Sequence, residues 1–156
     1  MKRRTRTRVA FVTTAPVTLR TFFVKQIQYL RRAGLSVHTI SAPVERGDES
    51  DRRLPMHTIP MTRGISPAID LISLFRLWRI FGRIRPAIVH THTPKAGLLG
   101  MIAACLARVS VRIYTINGLV WITHTGWKRC LLESTERIAC ALATDVLCVR
   151  IGRAHV

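Results

Sequence analysis

Short apolar runs alternate with longer amphipathic runs along this chain. The short runs have the length and β-branched content of buried strands, and they lie at 9–13, 36–40, 56–60, 87–92, 111–116 and 145–149. The longer runs have helical spacing, and they lie at 22–33, 67–85, 96–108 and 127–143. This order predicts an α/β fold: a Rossmann-like, doubly wound, mostly parallel sheet with helices on both faces.

Residues that start or end helices mark several boundaries of these elements. We expect Thr18 to cap the first helix and Gly34 to follow its last turn. Pro86 is expected to end the long helix at 67–85, because proline cannot continue the helical hydrogen-bond ladder. The polar run 43–53 is expected to be a surface loop.

Length and composition favour one globular domain. At 156 residues with 48% hydrophobic content, the chain can bury a core, which argues against disorder. We divide it into a basic disordered segment at 1–8, a domain at 9–150 and an irregular tail at 151–156. The tail stands where a doubly wound domain would normally continue, so the chain is expected to end before a second domain.

The charge balance favours an anionic partner without naming it. Twenty-five basic and eight acidic residues give a net charge of +17, which attracts nucleic acid, anionic lipid or phosphorylated ligands. Apart from the N-terminal cluster the basic residues are scattered, and no nucleic-acid motif accompanies them, so no nucleic-acid partner is expected. The four cysteines lack zinc-ligand spacing, which favours a reduced cytoplasmic protein without a metal site.

The junction between the strand at 87–92 and the next helix is the first candidate site, because ligands of open α/β sheets bind at this edge. We expect His90 and His92 to point to opposite faces of the strand. His92 is expected to face the cleft, and His90 either a ligand or the core. Lys95 could meet a phosphate at the helix N-terminus or face solvent. Gly97 allows close approach to a ligand or, more simply, to the sheet.

The loop after the first strand is the second candidate site. Thr14, Thr18 and Arg20 could contact a ligand there. The loop contains no glycine, so it is not the phosphate-binding fingerprint of dinucleotide-binding domains.

Several segments together resemble a known family. They are HTHTPKAG at 90–97, YTING at 114–118, GWKR at 126–129 and ERIAC at 136–140, with VTTAPVTLR at 12–20 and GLSVH at 34–38. From about residue 8 to 149 the chain resembles the N-terminal domain of GT-B glycosyltransferases of family 4. The similarity is strongest to the branch that assembles bacterial capsule, exopolysaccharide and lipopolysaccharide.

The resemblance implies one half of a GT-B fold, the half that binds a lipid-linked sugar acceptor. A nucleotide-sugar donor would bind a C-terminal domain or a separate donor-binding chain, without a metal or other cofactor, so the chain alone is expected to be inactive. No catalytic residue is assigned. Asn117, followed by Gly118, occupies a position where the family usually has histidine near the transferred sugar. Asparagine cannot exchange a proton at neutral pH, so we expect impaired or altered chemistry.

The long helix raises the question of membrane contact. Arg76, Arg79 and Arg83 recur at helical spacing among apolar and aromatic residues. Such a helix can lie in the interface of an anionic membrane, which suits a peripheral enzyme with a lipid-linked acceptor. It can equally cover the sheet and keep its arginines in water. A stand-alone Rossmann-like nucleotide- or phosphate-binding module is the alternative function.

Overall fold

The computed structural model describes residues 6–43, 56–62 and 64–149, and these form a six-stranded parallel sheet. The strands are β1 (Arg8–Val12), β2 (Ser36–Ser41), β3 (Met56–Thr58), β4 (Ile88–His92), β5 (Val111–Ile116) and β6 (Asp145–Cys148). Their spatial order is β3-β2-β1-β4-β5-β6, and all the pairings are parallel. The order reverses direction between β1 and β4, so the predicted doubly wound topology is confirmed, with its switch point between these strands.

The helices connect the strands in the manner of βαβ units. They are α1 (Pro16–Thr18), a π-helical segment (Leu19–Phe23), α2 (Val24–Arg32), α3 (Pro67–Ile84), α4 (Pro94–Leu106) and α5 (Gly126–Leu142). The first three form one continuous helical stretch. A 3₁₀ turn (Val120–Thr123) lies between β5 and α5.

Both faces of the sheet are covered, because alternate side chains of the buried strands point in opposite directions. Val9 and Phe11 of β1 pack with Leu19 and Ile27 of the first helical stretch. The intervening Ala10 and Val12 belong to a larger core, to which α3, α4 and α5 contribute; its helical members are Leu77, Phe81, Ala96, Leu99, Met101, Ala103, Ala104 and Ala139.

Most element boundaries agree with the sequence to within two residues, and the main differences are at helix starts. The first helix begins at Pro16 with Ala15 as its N-cap, so the prediction that Thr18 caps it is wrong. Proline also begins α4, at Pro94. A proline suits the first turn because it has no N–H to leave unpaired. Gly34 has φ 88°, which confirms the expected helix-terminating glycine.

Two predicted terminal segments and one predicted loop lie largely outside the residues that the structure describes. β1 begins at Arg8, inside the segment 1–8 that was expected to be disordered. Residues 1–5, most of the loop 43–53 and the tail 151–156 lie outside the described residues.

Two glycines let α4 approach the sheet closely. A Cβ atom at Gly97 would lie 2.4 Å from Cε2 of Tyr114, and one at Gly100 would lie 2.5 Å from Cγ2 of Thr91. The Tyr114 hydroxyl in turn donates a hydrogen bond of 2.8 Å to Oε1 of Glu136 on α5. The side chains of β4 and β5 therefore set how α4 and α5 pack.

We predict that Gly97→Ala lowers the free energy of unfolding by ~1–3 kcal/mol, because the added methyl group forces the Tyr114 ring to move. Gly82→Ala is the matched control: no atom lies within 4 Å of its Cβ position, and alanine favours the interior of α3. Urea unfolding of both variants measures the difference. Equal stability of the two variants would contradict this account of the α4 packing.

Candidate functional site

A cleft of about 580 Å³ opens at the carboxyl edge of the sheet, beside the switch point. Its walls come from the loops after β1 and β4, the start of α3, the 3₁₀ turn, α4 and α5. Most of its lining is apolar: Ala15, Ile65, Pro94, Leu98, Leu99, Val120, Leu131 and Leu132. The polar lining side chains are four threonines and one ion pair, namely Thr14, Thr18, Thr93, Thr135 and Lys95 with Asp70. The cleft can therefore offer hydroxyl groups and apolar surface to a ligand.

Thr14 and Thr93 join the two strand-end loops at the floor of the cleft. Their hydroxyl oxygens lie 2.7 Å apart, and the Thr14 backbone N–H donates to Oγ1 of Thr93 at 3.3 Å. Thr93 has φ 80° and ψ 143°, a conformation that costs a β-branched residue free energy. Thr14 was among the residues predicted from the sequence, but Thr93 was not. The position of Thr93 between a strand and Pro94 could have indicated a loop residue at the strand end.

Lys95 lines the cleft, but its ammonium group is already bonded within the protein. Nζ donates to both carboxylate oxygens of Asp70, at 2.7 and 3.1 Å, and to the carbonyl oxygen of Gly64. The side chains of Lys95 and Asp70 are 16% and 22% exposed. Lys95 thus neither faces solvent freely nor presents an unpaired charge to a phosphate. It connects α4 to α3, and Asp70 is a cleft residue that the sequence analysis missed.

The two histidines of β4 are buried and are not part of the cleft lining. Their ring centroids are 4.0 Å apart, so the prediction that they point to opposite faces is wrong. The reason is the two-residue period of a strand, which puts residues 90 and 92 on one face. His90 Nε2 lies 2.7 Å from Oγ1 of Thr115, and His92, expected to face the cleft, is buried. Burial lowers the pKa of His90 to about 4 and, with the nearby charge of His90, that of His92 to about 3.

The remaining candidates divide between the core, the cleft and its surroundings. Thr18 lines the cleft, and Gly97 is buried under Tyr114. Arg20 is partly buried and interacts with other groups of the protein, outside the cleft lining. Asn117 and Gly118 are exposed in the bend after β5, also outside that lining.

The outer face of α3 forms a second, shallower groove of about 800 Å³ against Thr58 and Ile59. Arg76, Arg79 and Arg83 line it, together with Leu71, Ile72, Phe75 and Ile80. The Arg79 guanidinium lies over the Phe75 ring at 5.7 Å. No helix within the described ranges is long and apolar enough to span a bilayer. Within the same ranges, no three His, Cys, Asp or Glu side chains are grouped closely enough to bind a metal ion.

The architecture corresponds to one half of a GT-B fold. MurG of Acinetobacter baumannii matches 96% of this chain with a TM-score of 0.65, and the match covers 42% of that protein. At 14% sequence identity this likeness concerns the fold alone.

The chain belongs to the Glycosyl transferase 4-like family, which matches residues 8–150. It is 38% identical over 130 residues to the capsular polysaccharide biosynthesis glycosyltransferase CapM of Staphylococcus aureus. It is also 38% identical over 103 residues to the Escherichia coli UDP-Gal:α-D-GlcNAc-diphosphoundecaprenol α-1,3-galactosyltransferase. These matches cover 83% and 65% of this chain but only 34% and 26% of the two relatives, so the chain spans about a third of their length or less.

The lowered pKa values of His90 and His92 predict that acid destabilises the fold. In the unfolded chain both histidines bind protons near pH 6.5, but in the folded protein only near pH 4 and pH 3. The unfolded state therefore holds more protons below pH 6.5. The free energy of unfolding falls as the pH drops, by up to ~1.4 kcal/mol per pH unit for each histidine.

Urea unfolding between pH 7 and pH 4.5 tests this prediction. The double variant His90→Phe/His92→Phe should lose most of the slope that the native chain shows. If both proteins lose stability equally with acid, the two histidines are not its source.

Proposed function

We propose that the cleft binds the glycan of a lipid-linked acceptor, in a glycosyltransferase that assembles cell-surface polysaccharide. Its position at the switch point of the sheet, where ligands of open α/β folds bind, carries the proposal. Two relatives support the substrate class. One is a capsular polysaccharide glycosyltransferase, and the other takes its name from a GlcNAc-diphosphoundecaprenol acceptor.

The lining of the cleft suits a sugar better than a highly charged ligand. Threonine hydroxyls both donate and accept hydrogen bonds, as sugar hydroxyls do. The apolar walls fit the C–H faces of a sugar ring, and Asp70 neutralises the charge of Lys95. Arg20, Asn117 and Gly118 follow β1 and β5 at the same edge of the sheet, so we retain them as contacts for an acceptor that extends beyond the cleft.

Donor binding and catalysis are proposed to require residues outside this chain. The matched region is about a third of CapM and a quarter of the galactosyltransferase, which leaves most of each relative unmatched. The nucleotide-sugar would bind a donor domain or a separate chain. Asn117 is not proposed as a base, because an amide does not exchange protons at neutral pH.

We predict that the purified chain binds a GlcNAc-diphosphate lipid in detergent but transfers no sugar from any nucleotide-sugar. Thr18→Val and Thr135→Val keep the side-chain shape and remove one hydroxyl each, so each should weaken acceptor binding ~3–10-fold. Calorimetry measures the affinity, and chromatography of radiolabelled sugar measures transfer. Thr125→Val is the matched control, because Thr125 is exposed, lies outside the cleft lining and makes no side-chain cap to α5.

Two results would contradict this proposal in different ways. Sugar transfer by the chain alone would refute the need for a separate donor part. Tight binding of UDP without binding of the lipid-linked sugar would favour a nucleotide-binding module instead.

We propose further that the α3 groove rests on the anionic cytoplasmic face of a membrane. Leu71 and Phe75 are 68% and 52% exposed beside the three arginines, an arrangement that suits a membrane interface. The two ion pairs between described residues, Lys95–Asp70 and Arg137–Glu133, involve none of these arginines. The groove therefore combines apolar surface with positive charge.

We predict that the native chain sediments with vesicles containing phosphatidylglycerol. The triple variant Arg76→Gln/Arg79→Gln/Arg83→Gln should lose most of this binding, at ~1 kcal/mol for each charge near the surface. The control triple variant Lys25→Gln/Arg32→Gln/Arg129→Gln removes the same charge from α2 and α5. Equal loss in both variants would show that net charge, and not the α3 face, drives the association.

A further inference from the structure

His92 is a buried polar side chain without a hydrogen-bonding partner. It is 1% exposed, and neither Nδ1 nor Nε2 has a partner among the described residues. Its neighbour His90, by contrast, bonds to Thr115. Burying an unpaired polar group costs free energy, so native proteins rarely leave both nitrogens of an imidazole unsatisfied. This exception calls for a physical explanation.

The cover over His92 is one aromatic ring from an irregular helical turn. The Phe23 ring centroid lies 3.9 Å from that of His92, and the Phe11 ring is stacked against it at 5.7 Å. Phe11 belongs to a central strand and is fully buried, whereas Phe23 is only partly buried and ends the π-helical segment Leu19–Phe23. π-Helical turns are rare in proteins, and those that occur are often found at functional sites. Phe23 is thus the less buried of the two phenylalanines that pack against His92.

Both His92 and Phe23 belong to segments that adjoin residues of the cleft lining. Thr93 follows His92 in the chain, and Thr18 precedes the π-helical segment; both threonines line the cleft. A ligand that contacts these two residues therefore touches the neighbour of His92 and the residue that precedes the segment carrying Phe23. His92 is therefore one residue away from the surface that a ligand would touch.

We propose that His92 is a concealed acceptor-binding residue, which a sugar hydroxyl reaches when Phe23 moves outward with the π-helical segment. The inference rests on the proposed acceptor function of the cleft. A neutral imidazole has one donor and one acceptor nitrogen, and a sugar hydroxyl offers the matching acceptor and donor. His90 differs from His92, because its Nε2 is already bonded to Oγ1 of Thr115.

The concealment is tested without any ligand. Phe23→Ala should increase the reactivity of His92 towards diethylpyrocarbonate, measured by mass spectrometry, at least tenfold. Phe22→Ala is the matched control, because Phe22 is adjacent but 74% exposed and has no ring contact with His92. Near-ultraviolet circular dichroism verifies that both variants stay folded, and Phe23→Leu provides a milder change. An unchanged His92 reactivity in folded Phe23 variants would overturn the proposal.

The binding role is tested with a GlcNAc-diphosphate lipid and two substitutions of His92. His92→Phe fills the same aromatic space without unpaired nitrogens, so it should raise Tm by roughly 2–10 °C while it weakens acceptor binding about tenfold or more. His92→Gln keeps a donor and an acceptor and should retain more of the affinity. A more stable His92→Phe variant with native affinity would show a packing role alone and overturn the inference. Failure of the native chain to bind the lipid would instead refute the proposed function, while the reactivity test still decides whether Phe23 conceals His92.

Discussion

Helix α4 packs in unusually close contact with the sheet, and this contact positions the cleft. Gly97 and Gly100 bring the helix against Tyr114 and Thr91 so closely that a methyl group has no room. This contact sets the height at which the N-terminus of α4 meets the carboxyl edge of the sheet. Thr93, Pro94 and Lys95 therefore line the cleft. A glycine that resembles a ligand-binding feature in the sequence acts here through packing, and it positions the side chains that can bind.

The charge of the cleft is largely balanced within the protein. The Lys95 ammonium group donates to both carboxylate oxygens of Asp70 and to the carbonyl oxygen of Gly64. It therefore links α3 to α4 and is not free to bind an anion. The high positive charge of the chain lies elsewhere, and one concentration of it is the outer face of α3. The molecule thus separates a nearly neutral, hydroxyl-bearing cleft from a basic and apolar surface. This separation suits the proposed binding of a sugar that is linked to a membrane lipid.

The histidine pair of β4 shows how polar residues can occupy a core. His90 is satisfied by Thr115, and both rings are held neutral because burial lowers their pKa values. His92 has no hydrogen-bonding partner among the described residues, so its burial contributes unfavourably to stability. Phe23, which packs against His92, is partly buried and ends a π-helical segment. The proposed acceptor role would link stability to function at His92.

The α/β architecture could be predicted from the sequence, since local periodicity and proline and glycine signals depend only on neighbouring residues. It also located the loops after β1 and β4, because strand ends are visible as the end of an apolar run. Thr14, Thr18 and Lys95 were identified in this way. The shared face of His90 and His92 could also have been predicted, because residues two apart in a strand point the same way. The prediction of opposite faces applied this rule wrongly.

The partners of those residues could not be predicted from the sequence, because they come from distant parts of the chain. Asp70 is 25 residues from Lys95 in the chain, and Thr93 is 79 residues from Thr14. Contacts at such separations depend on how the helices pack on the sheet, which no local pattern encodes. The burial of His92 under Phe23 has the same origin, as does the packing role of Gly97 against Tyr114.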